Sequence, residues 1–157
     1  MKSSKGITLV EVLIASAIIS VFIVALLSVH TLYLRSALKN SSSIQASYLI
    51  EEGIEAARFL RDSAWVNISS LTPGTDYGMA FYNGTWQAST TALYVDSFLR
   101  TVTVSAVSRD STSRDIVTSG GVNDPNTRKI TSSVSWVSNG ATTTRSISTY
   151  LTNIYAE

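Results

Sequence analysis

The chain has 157 residues and a formal net charge of +1, with twelve Lys or Arg against eleven Asp or Glu. A charge this small creates no field that draws the protein to nucleic acid, so a nucleic-acid partner is not indicated. The sequence contains no cysteine and one histidine, His30, which excludes disulfides and thiolate metal sites and removes the commonest acid–base group. We therefore predict a protein that is not an enzyme and holds no cofactor.

Residues 7–28 form an apolar run in which Glu11 is the only charged residue. A helix over this run is roughly 33 Å long, which matches the thickness of a bilayer core. Lys2 and Lys5 precede the run, and their positive charge favours an amino terminus in the cytoplasm. The pattern predicts a membrane helix.

A cleaved secretory signal peptide is the alternative, with Ala15, Ser16 and Ala17 as its cleavage site. This alternative fits poorly, because cleavage there leaves an apolar segment of about ten residues with a charge in its middle. The mature protein would also begin with the apolar sequence IISVFIVALL.

Glu11 is costly in a membrane helix, because a carboxylate at the bilayer centre costs about 2.5–3.5 kcal/mol and somewhat less near an end. The residues three and four positions away are Ile7, Thr8, Ile14 and Ala15, so we expect no partner within the same helix. One interpretation is that an acid near a helix amino terminus favours the helix dipole, worth about 0.3–1 kcal/mol. The other is that cleavage before Ile7 creates an α-amino group that meets Glu11 of a neighbouring helix.

Residues 5–15, KGITLVEVLIA, resemble the class III signal of type IV prepilins and pseudopilins. That signal is a short basic leader ending in Gly, followed by an apolar helix with Glu at its fifth position. The resemblance implies that a prepilin peptidase cleaves between Gly6 and Ile7 and methylates Ile7. It also implies that Glu11, together with Thr8, takes part in contacts between subunits during filament assembly.

The resemblance further implies a cleaved leader at residues 1–6, a transmembrane and assembly helix at 7–34, and an amphipathic half-helix with a globular β-sheet head at 35–157. The implied partners are prepilin peptidase, other pilin or pseudopilin subunits, an inner-membrane assembly platform and membrane lipid. The implied location is the bacterial cytoplasmic membrane before assembly, and then a cell-surface or envelope filament. Ile7 departs from the usual Phe, and the absence of Pro from residues 7–62 favours a minor pilin or pseudopilin.

The helical pattern continues beyond the apolar run, because residues 29–62 contain no Pro and one Gly. Serines at 41–43 are its weakest part, since serine competes for backbone hydrogen bonds, and a local break of the helix would fall there. Small and apolar residues recur with the three-and-four spacing of one helix face at Ala46, Leu49, Ile50, Gly53, Ala57 and Leu60. The spacing predicts a long helix whose second half packs on a globular domain.

The same segment carries a cluster of charges at Glu51, Glu52, Glu55, Arg58, Arg61 and Asp62. Paired carboxylates at helical spacing can indicate acid–base catalysis or a metal site. Alternating acids and bases, as in Glu55 with Arg58 and Arg58 with Asp62, are more typical of a solvated or intersubunit salt-bridge face, which we predict here. Gly53 in this segment would let another backbone approach closely.

After the turn signal LTPG at residues 71–74, apolar and polar residues alternate. Candidate strands lie at 79–82, 93–95, 101–106, 130–136 and 147–151. A helix followed by strands predicts an α+β fold in which the long amino-terminal helix packs on an antiparallel β-sheet head, as in pilins. Trp65, Trp86 and Trp136 are predicted to anchor the core or its edge.

Residues 110–126 are rich in Ser, Gly and Asp, and we predict a flexible exposed loop. Asp110, Asp115, Asn123 and Asp124 could supply oxygen ligands to calcium, but their spacing matches no calcium loop.

Two functions of different classes therefore stand. The first is a structural subunit, a minor pilin or pseudopilin that is processed by prepilin peptidase and assembled into a filament. The alternative is a membrane-anchored binding or adhesion domain that does not polymerise. A hydrolase is disfavoured, because the residues after His30 include no His or Cys and the chain has no Gly-x-Ser-x-Gly or phosphate-binding glycine loop.

Overall fold

The computed structural model describes residues 6, 8–138 and 140–155. The chain divides into two compact units, residues 1–42 and 43–157, and the first helix, α1 (Leu9–Ser63), contributes to both. The serines at 41–43 are helical, so the local break does not occur. The Ser42 hydroxyl donates a hydrogen bond to the Leu38 carbonyl one turn earlier, so this side chain bonds within the helix.

In the first unit, the large apolar side chains of α1 are exposed, as at Leu9 (77%) and Phe22 (65%). The hydroxyl groups bond backbone carbonyls three or four residues earlier, at Ser16, Ser20, Ser28 and Thr31. A helix whose polar groups are satisfied internally is compatible with hydrocarbon. Among the described residues, α1 is the one helix long and apolar enough to cross a membrane.

The second unit contains the last part of α1, a short helix α2 (Val66–Ser69) and an antiparallel sheet. The described residues form the strands β1 (Asp76–Tyr82), β2 (Thr85–Ser89), β3 (Leu93–Val95), β4 (Phe98–Arg109), β5 (Ile116–Val117), β6 (Val122–Ser138) and β7 (Ala141–Thr152). Their order is β2-β1-β4-β6-β7, and β3 and β5 also pair with β4. The α+β prediction is confirmed.

One face of α1 packs on one face of this sheet. Its buried residues are Ala46, Leu49, Ile50, Gly53, Ile54, Ala56, Ala57 and Leu60, which include every position that the three-and-four spacing predicted. Inner-face residues of β4 and β6, such as Val102 and Ile130, are fully buried against them. Trp136 is buried in a second cluster with Phe98, while Trp65 and Trp86 pack on the main core, as predicted for anchors.

Gly53 marks the closest approach of α1 to the sheet. A Cβ added there would lie 3.3 Å from Val102 Cγ2 and closer than van der Waals contact to Ser132 Oγ. The atoms nearest to Gly53 are thus side-chain atoms of Ser132 and Val102. Any side chain at position 53 would therefore force Ser132 or the helix to shift.

Strand β1 leaves β4 after Tyr77 and continues as a hairpin with β2. The hairpin turn is Asn83-Gly84, with φ of 51° and 77°, so both residues adopt the left-handed conformation of a two-residue turn. Met79 on β1 is fully buried, and Trp86 and Ala88 on β2 pack against the core. The hairpin therefore contributes to the core beside α1.

The candidate strands are confirmed and extended, and the structure adds α2, β2 and β5. The exposed loop predicted at 110–126 is wrong in part: residues 110–115 and 118–121 lie outside the strands, but Ile116–Val117 and the start of β6 pair with the end of β4. Between Ala106 and Val107 the partner on β6 changes from Arg128 to Asp124, which leaves a bulge around Pro125. A proline cannot donate to the ladder, so it is tolerated at such a bulge.

Candidate functional site at the start of the first helix

Thr8 and Glu11 form a reciprocal cap at the amino terminus of α1. The backbone nitrogen and the hydroxyl of Thr8 each donate to Glu11 Oε2 at 2.9 Å. The backbone nitrogen of Glu11 donates to Thr8 Oγ1 at 3.3 Å. This is a capping box, in which a Thr at the cap and a Glu three residues later satisfy two backbone donors that a helix start leaves unpaired.

The capping box corrects the expectation that Glu11 has no partner in its own helix. Thr8 supplies two donors, although it supplies no positive charge. Both hydrogen bonds end on Oε2, and among the described residues none reaches Oε1 and no basic side chain pairs with the carboxylate. Within the described residues, Oε1 therefore makes no hydrogen bond or ion pair.

An open, largely apolar depression lies beside Glu11 on the helix surface, bounded by Val12, Ala15, Ser16 and Ile19. Small residues such as Ala15 and Ser16 let a second helix approach closely in a membrane. The surroundings of the carboxylate can therefore receive another helix.

Gly6 is exposed, and a Cβ added there would meet no described atom within 4 Å. The described fold therefore places no steric demand for glycine at this position. Ile7, the predicted site of cleavage and methylation, lies outside the described residues. Cleavage before Ile7 would leave both the amide nitrogen and the hydroxyl of Thr8 in the mature chain, so the capping box survives processing.

Comparison with known families finds one match at this end of the chain. Residues 1–27 match the prokaryotic N-terminal methylation motif. They carry the type IV pilin and pseudopilin signal. The methylation motif supports a type IV pilin-like substrate of prepilin peptidase. No curated protein and no solved structure matches the chain.

The methylation motif and the apolar helix together fit anchoring in a membrane. The motif covers the candidate site completely, since Gly6, Thr8 and Glu11 all lie within residues 1–27. It does not reach the second unit, so the sheet and its surfaces must be interpreted from their own geometry.

Four of the six residues in the charge cluster on α1 pair within the cluster, and Glu51 makes no ion pair with the described residues. Arg58 pairs with Glu55 as predicted, but Asp62 pairs with Arg61 and not with Arg58. The Arg58–Glu55 pair is exposed, whereas in the second pair Asp62 is exposed and Arg61 is half-buried. Arg61 and Asp62 are adjacent in sequence, and this contact replaces the predicted contact across one helical turn.

Glu52 pairs outside the cluster, with Arg100 of β4 at 2.7 Å. Only 2% of the Arg100 side chain is exposed, whereas 46% of Glu52 is. Arg100 Nη2 also donates to the Met79 carbonyl at 2.7 Å, and the guanidinium lies 5.7 Å from the centre of the Trp86 ring. Arg100 thus connects α1 to the β1–β2 hairpin, a structural role that the sequence did not reveal.

Among the described residues no group of three or more His, Cys, Asp or Glu could hold a metal ion. Asp124 instead accepts a hydrogen bond from Arg109 at 2.6 Å and one from Thr127. The Arg109 guanidinium, helped by Thr127 and by the Asn126 amide, lowers the pKa of Asp124 below its usual value. Asp110 accepts hydrogen bonds from two backbone amides of its own turn, and these amides lower its pKa.

Proposed function

We propose that this chain is a minor pilin or pseudopilin that prepilin peptidase cleaves between Gly6 and Ile7 and methylates at Ile7. The mature protein waits in the bacterial cytoplasmic membrane and then enters a surface or envelope-spanning filament with other subunits, through an inner-membrane assembly platform. The observation that carries the proposal is the methylation motif on a helix that begins with an acidic capping box.

The exposed apolar surface of α1 supports assembly with other chains. In the first unit nothing of the described chain covers side chains such as Leu13, Phe22 and Leu27, which are at least 60% exposed. Lipid covers this surface before assembly. In a filament the same surface packs on neighbouring helices, and close packing of small and apolar residues stabilises such contacts.

Glu11 has a second role in this proposal, as a register element. The capping box uses Oε2, and the available Oε1 accepts the new amino group of a neighbouring subunit. A buried ion pair contributes less to stability than to specificity, because its desolvation offsets much of its attraction. The ion pair between Glu11 and the amino group therefore selects one axial position of a helix relative to its neighbour.

The Glu11→Gln variant tests this role, because Gln also completes a capping box but carries no charge. We expect Glu11→Gln and Glu11→Ala to be expressed, cleaved and inserted normally, while their incorporation into filaments falls. Glu55→Gln, which removes an exposed charge from the same helix, serves as the control. Normal incorporation of Glu11→Gln would show that the carboxylate acts only as a cap.

Immunogold electron microscopy separates this function from the alternative, a membrane-anchored binding domain that does not polymerise. Labelled fibres sheared from the cells support the filament subunit. Label spread evenly over the envelope, with none on fibres, supports the anchored domain.

A further inference from the structure

The sheet face opposite α1 carries a regular array of hydroxyl groups. On β4, β6 and β7, outward residues alternate with the inward ones that form the core. We call the following nine residues the hydroxyl face: Thr101, Thr103, Ser105, Thr131, Ser133, Ser135, Thr144, Ser146 and Ser148. All nine are half-buried or exposed. None of them is ionisable.

The strand register arranges these hydroxyls in rows across the sheet. Thr101, Ser133 and Ser146 form one row, and Thr103, Thr131 and Ser148 form the next. Ser135 and Thr144 face each other in a further row. Their hydroxyl oxygens are 2.8 Å apart, and the hydroxyl oxygens of Thr131 and Ser148 are also 2.8 Å apart. Neighbours in a row are about 4.8 Å apart and rows are about 6.8 Å apart, from ordinary sheet geometry.

Strand preference does not explain this composition. Threonine suits strands, whereas serine has no such preference, and five of the nine residues are serine. Hydrogen bonds between facing hydroxyls connect Thr131 with Ser148 and Ser135 with Thr144, so four of the nine side chains are positioned before any partner binds. An ordered surface binds with a smaller loss of conformational entropy.

Charge and shape select the class of partner. Each hydroxyl both donates and accepts hydrogen bonds, so a complementary partner carries hydrogen-bond donors and acceptors at regular intervals. A charged partner would lose hydration with no opposite charge among the nine residues to replace it. The face is an extended surface, which suits a polymer. Among the described residues on this side of the sheet, charges lie on Lys129, in the end row between Ser105 and Tyr150, and on Asp76, whose carboxylate already accepts a hydrogen bond from Thr103.

Two exposed tyrosines frame the hydroxyl face. Tyr94 of β3 (63% exposed) pairs with Leu99, in the row that contains Ser135, and Tyr150 of β7 (48% exposed) pairs with Lys129 at the other end. Aromatic rings offer a flat apolar surface with a polar tip, which suits the apolar face of a sugar ring. We infer that the hydroxyl face binds a linear, neutral polysaccharide, with hydroxyls bonding the sugar hydroxyls and tyrosines packing on sugar rings. This inference is independent of cleavage and of polymerisation.

Co-sedimentation of the full chain in detergent with microcrystalline cellulose, chitin and curdlan tests the inference. The informative variant carries Thr103→Val, Thr131→Val and Thr144→Val, which keep shape and strand preference but remove three hydroxyls. The control carries Ser at the same three positions. We expect wild type and control to be retained on at least one polymer at low and at high salt, and the Val variant to bind about tenfold more weakly.

Thermal unfolding should show that the Val variant, which also loses the hydrogen bonds of Thr103, Thr131 and Thr144, still unfolds cooperatively and stays folded at the temperature of the binding assay, so that weaker retention reports lost contacts and not lost fold. The inference would be overturned if none of the three polymers retained the wild type. Retention of the Val variant at the wild-type level, or retention of the wild type that disappears at high salt, would overturn it as well. Each of these results leaves the proposed filament role untouched.

Discussion

Thr8 and Glu11 bond each other reciprocally at the first turn of α1, with Glu11 Oε2 accepting two hydrogen bonds at 2.9 Å. The arrangement gives an acidic side chain in an apolar helix a local structural role that does not depend on a second subunit. It also orients the carboxylate, since one oxygen is fixed by Thr8 and the other is directed away from that contact. The capping and assembly roles can therefore be separated by mutation.

Thr8→Ala removes the hydroxyl that caps the helix. We expect the first turn to be destabilised by about 1 kcal/mol, which amide hydrogen exchange of residues 9–12 in detergent micelles would detect as faster exchange. Thr8→Ser keeps the hydroxyl and should exchange like wild type. Equal exchange rates in all three proteins would mean that the capping box does not stabilise the turn.

Glu52→Gln tests the ion pair that connects α1 to the sheet. Arg100 is 2% exposed and cannot turn to water when its counter-charge is removed. We expect a loss of about 2 kcal/mol in the free energy of unfolding, measured by urea and tryptophan fluorescence in detergent. Glu51→Gln, at an exposed position one residue earlier, should change it little. Equal effects of the two substitutions would contradict the structural role of Arg100.

Gly53→Ala tests the closest contact between α1 and the sheet. The new methyl group would overlap Ser132 Oγ, so we expect a destabilisation of about 1–3 kcal/mol. Ser132→Ala in the same chain removes that oxygen and should restore part of the stability. Ser132 Oγ is buried and makes no hydrogen bond to the described residues, so Ser132→Ala alone should cost little. A double variant no more stable than Gly53→Ala would show that this overlap is not the cause.

The pairing of Asp124 with Arg109 makes the free energy of unfolding depend on pH in the acid range. Because that pairing lowers the pKa of Asp124, the folded state binds fewer protons than the unfolded state, where the pKa is about 3.9. Its contribution to stability is therefore present above pH of about 4 and is lost as pH falls below that value.

The stability difference between wild type and Asp124→Asn should accordingly shrink on acidification, as urea unfolding at a series of pH values would measure. Asp115→Asn is the control, because the Asp115 carboxylate makes no hydrogen bond or ion pair with the described residues. A difference for Asp124→Asn that stays constant through the acid range would contradict the assignment.

Local periodicity was sufficient to predict the buried face of α1. Ala46, Ile50 and Leu60 follow one helical stripe, and that stripe meets a sheet whose strands alternate with period two. The turn Asn83-Gly84 was also visible in the sequence, since Asn-Gly between alternating residues is a strong hairpin signal. The capping box was equally local, because Thr8-x-x-Glu11 has its standard spacing. Our sequence analysis did not predict the Asn83-Gly84 turn or the capping box, although both signals were present in the sequence.

Arg100 shows what local patterns could not provide. It occupies an inward position of β4 between Phe98 and Val102, where alternation predicts an apolar residue. Its partners, Glu52 on α1 and the Met79 carbonyl on β1, are distant in sequence and come together only in the folded chain. The pairing of residues 116–117 with β4 is similar, because a segment rich in Ser, Gly and Asp gives no local strand signal.

Gly6→Val separates recognition by the peptidase from folding. Gly6 is exposed and a Cβ there meets no described atom, so the variant should unfold like wild type. We nevertheless expect it to stay uncleaved in the membrane, because a bulkier residue blocks the site that the peptidase recognises. Immunoblotting of envelope fractions would show the longer form alone, and a normal mixture of forms would contradict the cleavage site.

The most direct test of the account is the intact mass and amino-terminal sequence of the protein purified from the envelope of its host. The account predicts a chain that lacks residues 1–6 and begins with Ile7 carrying one additional methyl group. A chain that begins only with Met1, with no shortened form in membrane or filament fractions, would contradict it.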